Sequence, residues 1–273
     1  MNHTTTPRQQ ALRRLSVCLV EPSAMQGKII ISELNAVGVA DVRHLHTGAE
    51  ALESLSRAPA DLVVSALYLP DMSGTDLVSA MRLDPALEKV GFILVSSETR
   101  PQALEPVRQS GVCAILPKPF TREQLHHALD NSLELLEGDE SLNSQVEAEA
   151  LRVLLVDDSG SARRFMRRVL ENLGITRFVE AENGREAANI LLETQVDLVV
   201  TDYNMPEMDG EALVRHIRSR GWQQSVPILM VTSEHNAARL AAVENAGVSG
   251  ICDKPFEPEV VKGLLWNMLG QRE

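Results

Sequence analysis

Asp157 and Asp158 directly follow one short apolar run, Asp202 and Thr232 directly follow two later ones, and Lys254 stands one residue past a further run. Three carboxylates gathered at one place repel one another and resist ionisation unless a cation joins them. Ligands that are all oxygen suit Mg2+, which keeps several waters and favours bridging to phosphate. Thr232 can offer its hydroxyl to a phosphoryl oxygen, and Lys254 sets a point charge beside it. The set therefore reads as phosphoryl transfer onto a carboxylate, with a metal stabilising the charge that develops. An adjacent acid pair alone would more often be a solvated helix cap. The weight lies in the full set on successive strand ends. A Mg2+-dependent phosphatase that passes through an aspartyl-phosphate would need D-x-D after its first strand; here the acids are adjacent and Ser159 holds the third place.

The elements that must position these residues are legible as alternation. Val153–Val156, Phe178–Ala181, Leu198–Thr201, Ile228–Val231 and Ile251–Cys252 are short and Leu-rich or β-branched, as expected for buried strands of a parallel sheet. Between the first two, Ala162, Phe165, Met166, Val169, Leu170 and Leu173 recur at helical spacing and the stretch stops at Gly174, a C-cap residue. Arg163, Arg164, Arg167 and Arg168 fall mostly opposite, which reads as a solvated face or a docking face for an acidic helix. Five strand–helix units predict a doubly wound α/β domain, with chemistry gathered outside the C-terminal strand ends.

The pattern occurs twice. Adding 136 to a position in the first half repeatedly lands on the same residue type: Asp61-Leu62-Val63-Val64 becomes Asp197-Leu198-Val199-Val200, and Lys118-Pro119-Phe120 becomes Lys254-Pro255-Phe256. The same offset shows what the first copy lacks. Asp157-Asp158 corresponds to Glu21-Pro22, Asp202 to Ala66 and Thr232 to Ser96, while Lys254 is kept as Lys118. Ala66 has no nucleophile and Pro22 has neither side-chain oxygen nor N–H, so phosphorylation and Mg2+ binding are expected only in the second copy. Ser65 and Asp71 are substitutes on paper, disfavoured by their placement. The expected organisation is a polar tail over 1–14, a domain over 15–136 lacking the phosphoacceptor, an acidic linker over 137–150 and a phosphorylatable domain over 151–273, with no output domain attached.

Composition narrows the partners. A net charge of −12 argues against a general nucleic-acid surface. No apolar stretch approaches the ~20 residues that span a bilayer, and the polar start is not a secretory signal. Cys18, Cys113 and Cys252 lack C-x-x-C spacing and sit in apolar runs, which suits reduced, buried thiols in a cytoplasmic protein. His126, His127 and His235 have no ligand partner at metal spacing and read as helix-surface residues.

The segments VLLVDDS, VVTDYNMPEMDG, ILMVTSE and CDKPF resemble the response-regulator receiver domain over essentially the whole second copy, and the first copy resembles a degenerate pseudo-receiver. The resemblance implies a flavodoxin-like (βα)5 fold with strand order 2-1-3-4-5 in each copy. It implies that Asp202 accepts phosphate from a histidine kinase or histidine phosphotransfer domain. One Mg2+ would be held directly by Asp158 and Asp202, with Asp157 helping through water and Asn204 giving its backbone carbonyl, while Thr232 and Lys254 bind the phosphoryl group. Asn204 and Glu234 match positions that tune dephosphorylation, and Lys254–Pro255 is expected to be cis. Output would pass to a protein partner through about His235–Leu269, in a branch closest to chemotaxis or motility signalling. A homodimer, or a scaffold that uses both folds for docking without phosphorylation, stays open. Ile251 departs from the family's usual aromatic switch residue, so the usual coupling from threonine to aromatic must be altered.

Overall fold

The computed structural model describes residues 7–98, 100–137, 148–220, 222–234 and 236–269. The chain divides into two compact units, Met1–Leu136 and Glu137–Glu273. In the first unit the order is α1 (Pro7–Arg14), β1 (Ser16–Val20), α2 (Ala24–Ala36), β2 (Asp41–Leu45), α3 (Gly48–Arg57), β3 (Leu62–Ala66), α4 (Gly74–Leu83), β4 (Gly91–Ser96), α5 (Pro101–Arg108), β5 (Ala114–Pro117) and α6 (Arg122–Glu137). The second unit runs β6 (Arg152–Val156), α7 (Gly160–Asn172), β7 (Arg177–Ala181), α8 (Gly184–Glu193), β8 (Leu198–Asp202), α9 (Gly210–Arg220), β9 (Ile228–Thr232), α10 (Ala237–Ala246), β10 (Gly250–Asp253) and α11 (Pro258–Leu269).

Each unit holds one five-stranded sheet, in the orders β2-β1-β3-β4-β5 and β7-β6-β8-β9-β10, with every strand pair parallel. This is the doubly wound flavodoxin-like fold with the expected order. Because side chains alternate along a strand, each sheet supplies two cores. In the first unit Cys18, Val20, Val63, Phe92 and Leu94 pack with α3, α4 and α5. Val17, Leu19, Leu62, Val64, Ile93 and Val95 pack on the other face with α1, α2 and α6. In the second, Leu154, Val156, Val199, Ile228 and Met230 pack with α8, α9 and α10. The alternate residues Val153, Leu155, Leu198, Val200, Leu229 and Val231 are equally buried. So is the apolar stripe of α7, and Gly174 just beyond that helix takes the left-handed φ of 90° that a C-terminal cap requires.

The segment 1–14 is not simply a polar tail. From Pro7 it forms α1, with Leu12 buried in the first unit's core and Arg8 paired to Asp130 and Glu134 at 2.8 and 3.2 Å. A single buried Leu, here contributing about 2 kcal/mol, leaves no periodicity in a sequence. The acidic residues Glu134 and Glu137 belong to the end of α6, and a 3-10 turn at Ala148–Ala150 leads into β6. The remainder of the linker, 138–147, together with His235, lies outside the described residues. His126 and His127 stand exposed on α6, as expected. No described helix is long and apolar enough to cross a membrane.

The loop after β8 turns back on the strand it has just left. Gly210 donates its N–H to the Tyr203 carbonyl at 2.8 Å, and a Cβ there would come within 2.3 Å of the Asp202 carbonyl oxygen. Gly74 makes the same close approach to the Ala66 carbonyl in the first unit. Gly210→Ala is therefore expected to cost the second unit about 1–3 kcal/mol by overpacking, read as a lower urea midpoint. Wild-type stability in that variant would contradict the close approach.

Candidate functional site

Parallel register brings the strand ends to one rim. Asp202, last in β8, lies beside Val231, and Thr232, last in β9, lies beside Asp253, which Lys254 follows. Asp157 and Asp158 follow β6, next to β8 in the sheet. Ser159 then caps α7, its hydroxyl accepting from the Ala162 N–H. The chain thus passes from strand to helix within three residues, and the acid pair sits at that corner.

Asp157, Asp202, Thr232 and Lys254 are all buried, with Asp202 only 1% exposed, while Asp158 reaches solvent. One carboxylate oxygen from each of the three acids lies within 4.8 Å of the others, a group able to hold a metal ion. Lys254 Nζ sits 2.8 Å from Asp157 Oδ2 and 2.9 Å from Asp202 Oδ1. Neither Asp202 oxygen accepts a well-directed hydrogen bond, although Oδ1 stands in ion-pair range of Lys254. An orphaned carboxylate oxygen facing two further acids fits a hard, oxygen-seeking cation.

The electrostatics follow from the burial. Loss of solvent pushes the Asp202 carboxyl up to about 6, with Lys254 opposing the shift and Asp157 adding to it. Burial, then Asp157, raises Asp158 as well. For Lys254 burial favours the neutral amine, but the attraction of Asp157 and Asp202 outweighs it and the ammonium is held charged. Thr232 is tied into the turn that follows it, its Oγ1 accepting from the Glu234 N–H at 2.9 Å.

The remaining expected residues stand further out. Asn204 is exposed, one residue past Tyr203. Glu234 points its carboxylate at Arg239, 2.7 Å away, and accepts from the Asn236 N–H. Lys254–Pro255 is cis, as is Lys118–Pro119. Ile251 is half-buried against the core. The three cysteines are free and buried, and burial pushes the Cys18 and Cys252 thiols up to about 11 and about 12.

Two features were not read from the sequence. Arg163 and Arg167, assigned to a solvated or docking face, are engaged within the domain. Arg163 donates to the Asp157 carbonyl and pairs with Glu180 and Glu182, while Arg167 pairs with Glu171 and Glu180 and lies over the Phe178 ring. Tyr203, next to Asp202, is buried with the Arg239 guanidinium 5.8 Å from its ring centre. The contacts of Arg163 with Glu180 and Glu182, and of Arg239 with Tyr203, join residues far apart in sequence, and only the fold brings them together.

At the equivalent rim of the first unit, Glu21 Oε2 meets Lys118 Nζ at 2.8 Å and Ala66 stands where the second unit has Asp202. Gln26 Oε1 also accepts from Lys118, at 2.5 Å. The paper substitutes are occupied elsewhere. Ser65 donates to the Ala66 carbonyl, and Asp71 accepts from the N–H groups of Gly48 and Ala49 at the start of α3. A cavity of about 680 Å³ opens here, lined by apolar groups such as Ile29, Ala66, Tyr68 and Phe120 around Glu21 and Lys118.

Comparison with known proteins converges on the same segments. The family model for the response regulator receiver domain matches residues 17–130 and again 153–265. A chemotaxis protein CheY homolog from Campylobacter jejuni is 40% identical over 121 residues, 44% of this chain and 93% of its own length. Chemotaxis protein CheY1 of Helicobacter pylori is 38% identical over 124 residues, 45% of this chain and all of its own. Among solved structures, the chemotaxis response regulator CheY4 of Vibrio cholerae is similar at 32% identity, covering 43% of this chain and 98% of its own with a TM-score of 0.40.

Without metal, the buried Asp202 carboxylate is a burden on the fold. Its proton is held more tightly in the folded chain than in the unfolded one, so stability falls as pH rises from the ordinary 3.8 through about 6. The shift corresponds to something on the order of 3 kcal/mol. In chelator at pH 7 the Asp202→Asn variant is expected to unfold at higher urea than wild type and to lose that decline. Equal midpoints across the range would show that Asp202 is not strained.

Proposed function

The chain belongs to the response regulator receiver family, as a tandem pair of receiver domains, and on that premise we propose that Asp202 is the phosphoacceptor of the second unit. The observation that carries the reading is the buried Asp202 carboxylate, with neither oxygen accepting a well-directed hydrogen bond, set between Lys254 and the acid pair. One Asp202 oxygen forms the new O–P bond while the P–N bond to a phosphohistidine breaks, and its electron pair returns to the departing imidazole. The donor is a histidine kinase or a histidine phosphotransfer domain. Asp157, Asp158, Asp202 and the Asn204 carbonyl would hold one Mg2+, which supplies positive charge to the carboxylates and the incoming phosphoryl oxygens.

The protein's own groups do the rest. Lys254 Nζ, already between Asp157 and Asp202, is placed to hold one phosphoryl oxygen, and the Thr232 hydroxyl to donate to another. Each such contact favours one arrangement of the loops after β9 and β10, which is a population shift. Output then passes through the face spanning about 235–269 to another protein, in a chemotaxis or motility pathway such as the names of the relatives suggest. Glu234 can tune dephosphorylation with Asn204 only after leaving Arg239. The chain assists its own phosphorylation and acts on no separate substrate. The first unit, with Ala66 and a closed Glu21–Lys118 pair, takes no part in the chemistry and serves docking, dimerisation or restraint of the second. A cytoplasmic site of action, without nucleic acid or membrane, completes the reading.

Intact mass after incubation with acetyl phosphate tests this directly. One Mg2+-dependent phosphoryl group on wild type and none on Asp202→Ala is expected. Modification that persists in the variant would place the acceptor elsewhere. No modification of wild type by acetyl phosphate or by a histidine kinase would favour a docking scaffold. Lys254→Ala should accept phosphate slowly and fail to change its binding contacts. Normal switching in that variant would remove Lys254 from the mechanism.

A further inference from the structure

The acid pair must be held at a fixed corner, where Ser159 donates its N–H to Asp157 Oδ1 at 2.8 Å. Asp157 donates its N–H to the Ala181 carbonyl, and its own carbonyl points across to α7. Arg163, one turn into that helix, is the group it meets: Nη1 donates to the Asp157 carbonyl at 2.5 Å. The same guanidinium is anchored on its other edges by Glu180 of β7, 3.3 Å from Nε, and Glu182 just after it, 3.1 Å from Nη2. Its side chain is only 12% exposed. Three strand-and-helix segments are thus pinned to one planar group, whose fixed fork a flexible ammonium could not reproduce.

The first unit supplies an internal comparison, because the whole arrangement has been exchanged along with the chemistry. At the positions of Arg163, Glu180 and Glu182 stand Gly27, His44 and His46. His44 Nε2 and His46 Nδ1 lie 2.9 and 3.2 Å from the Glu21 carbonyl oxygen. A Cβ on Gly27 would fall within 2.2 Å of the His44 ring, so no arginine can coexist with these imidazoles in their present place. The unit without an acid pair holds the same carbonyl by a different device that carries no guanidinium.

We infer that Arg163 is the positioning residue for Asp157-Asp158: through the Asp157 carbonyl it fixes the corner that aims both carboxylates at the cation and at Asp202. Glu180 and Glu182 serve by orienting Arg163 and by cancelling its charge, which would otherwise repel a divalent ion. The inference rests on the reading of the second unit as a Mg2+-dependent phosphoacceptor. Residues that orient metal ligands without touching the metal typically change affinity 10–100-fold when removed.

The test is the Mg2+ dissociation constant of the full chain by calorimetry, for wild type, Arg163→Ala, Arg163→Lys and the double variant Glu180→Gln/Glu182→Gln, with each variant's metal-free melting curve alongside. Weakening of Mg2+ binding by about 10–100-fold is expected in Arg163→Ala, with Arg163→Lys between it and wild type. The double variant, which keeps the arginine, should also weaken. Acetyl phosphate labelling should shift to higher half-saturating Mg2+ yet approach the wild-type rate at saturation, a split that general destabilisation would not give. Unchanged or tighter Mg2+ binding in Arg163→Ala, with wild type binding normally, overturns the inference. If Arg163→Ala does not fold, the double variant decides, and unchanged binding there overturns it as well. Failure of wild type itself to bind Mg2+ would instead overturn the underlying assignment of the site.

Discussion

Three carboxylates share one rim of the second sheet, and two of them are buried. At an effective dielectric of about 20, a pair of charges at such a separation repels by roughly 3–4 kcal/mol, so the metal-free site cannot relax with all three ionised. Lys254 relieves part of this, bridging Asp157 and Asp202, but one ammonium cannot balance three acids and leaves Asp202 Oδ2 without a hydrogen-bond partner. The fold holds its acids in a state that a divalent cation and a phosphoryl group would complete. Everything else at the rim can be understood as keeping that tension in place.

The parallel sheet makes this possible because its strands all end on the same side. One hydrogen-bonded register sets Asp202 next to β9 and Thr232 next to Asp253, and short connections into α7 and α9 hold the corners. Gly210 lets the loop lie on the Asp202 carbonyl, and Arg163 reaches back from α7 to the Asp157 carbonyl. In the first unit the same frame carries Ala66, Pro22 and a neutralised Glu21–Lys118 pair. Its apolar core is complete without the acids, which is the physical reason one fold survives both with and without them.

Much of this was legible in the residues. The fixed offset of 136 exposed the duplication, short continuous apolar runs marked the strands, and the polar residues after those runs marked the rim. Strand order came through family resemblance, since alternation of elements says nothing of which strands are neighbours. What stayed hidden depends on contacts between distant positions. Leu12 carries no pattern of its own, yet it completes the core under α1. The arginines of α7 looked like a solvated face because their partners Glu180 and Glu182 lie on β7 and just beyond it. Tyr203 and Arg239 gave no local sign of meeting.

The most direct measurement is a Mg2+ titration of the full-length chain followed residue by residue by amide NMR. The account requires a single binding event, with shifts concentrated at the ends of β6, β8, β9 and β10 and none at the Glu21, Ala66 and Lys118 rim. Replacing Asp158 by Asn should weaken that event. Binding at both rims, or shifts that bypass Asp157, Asp158 and Asp202, would contradict it.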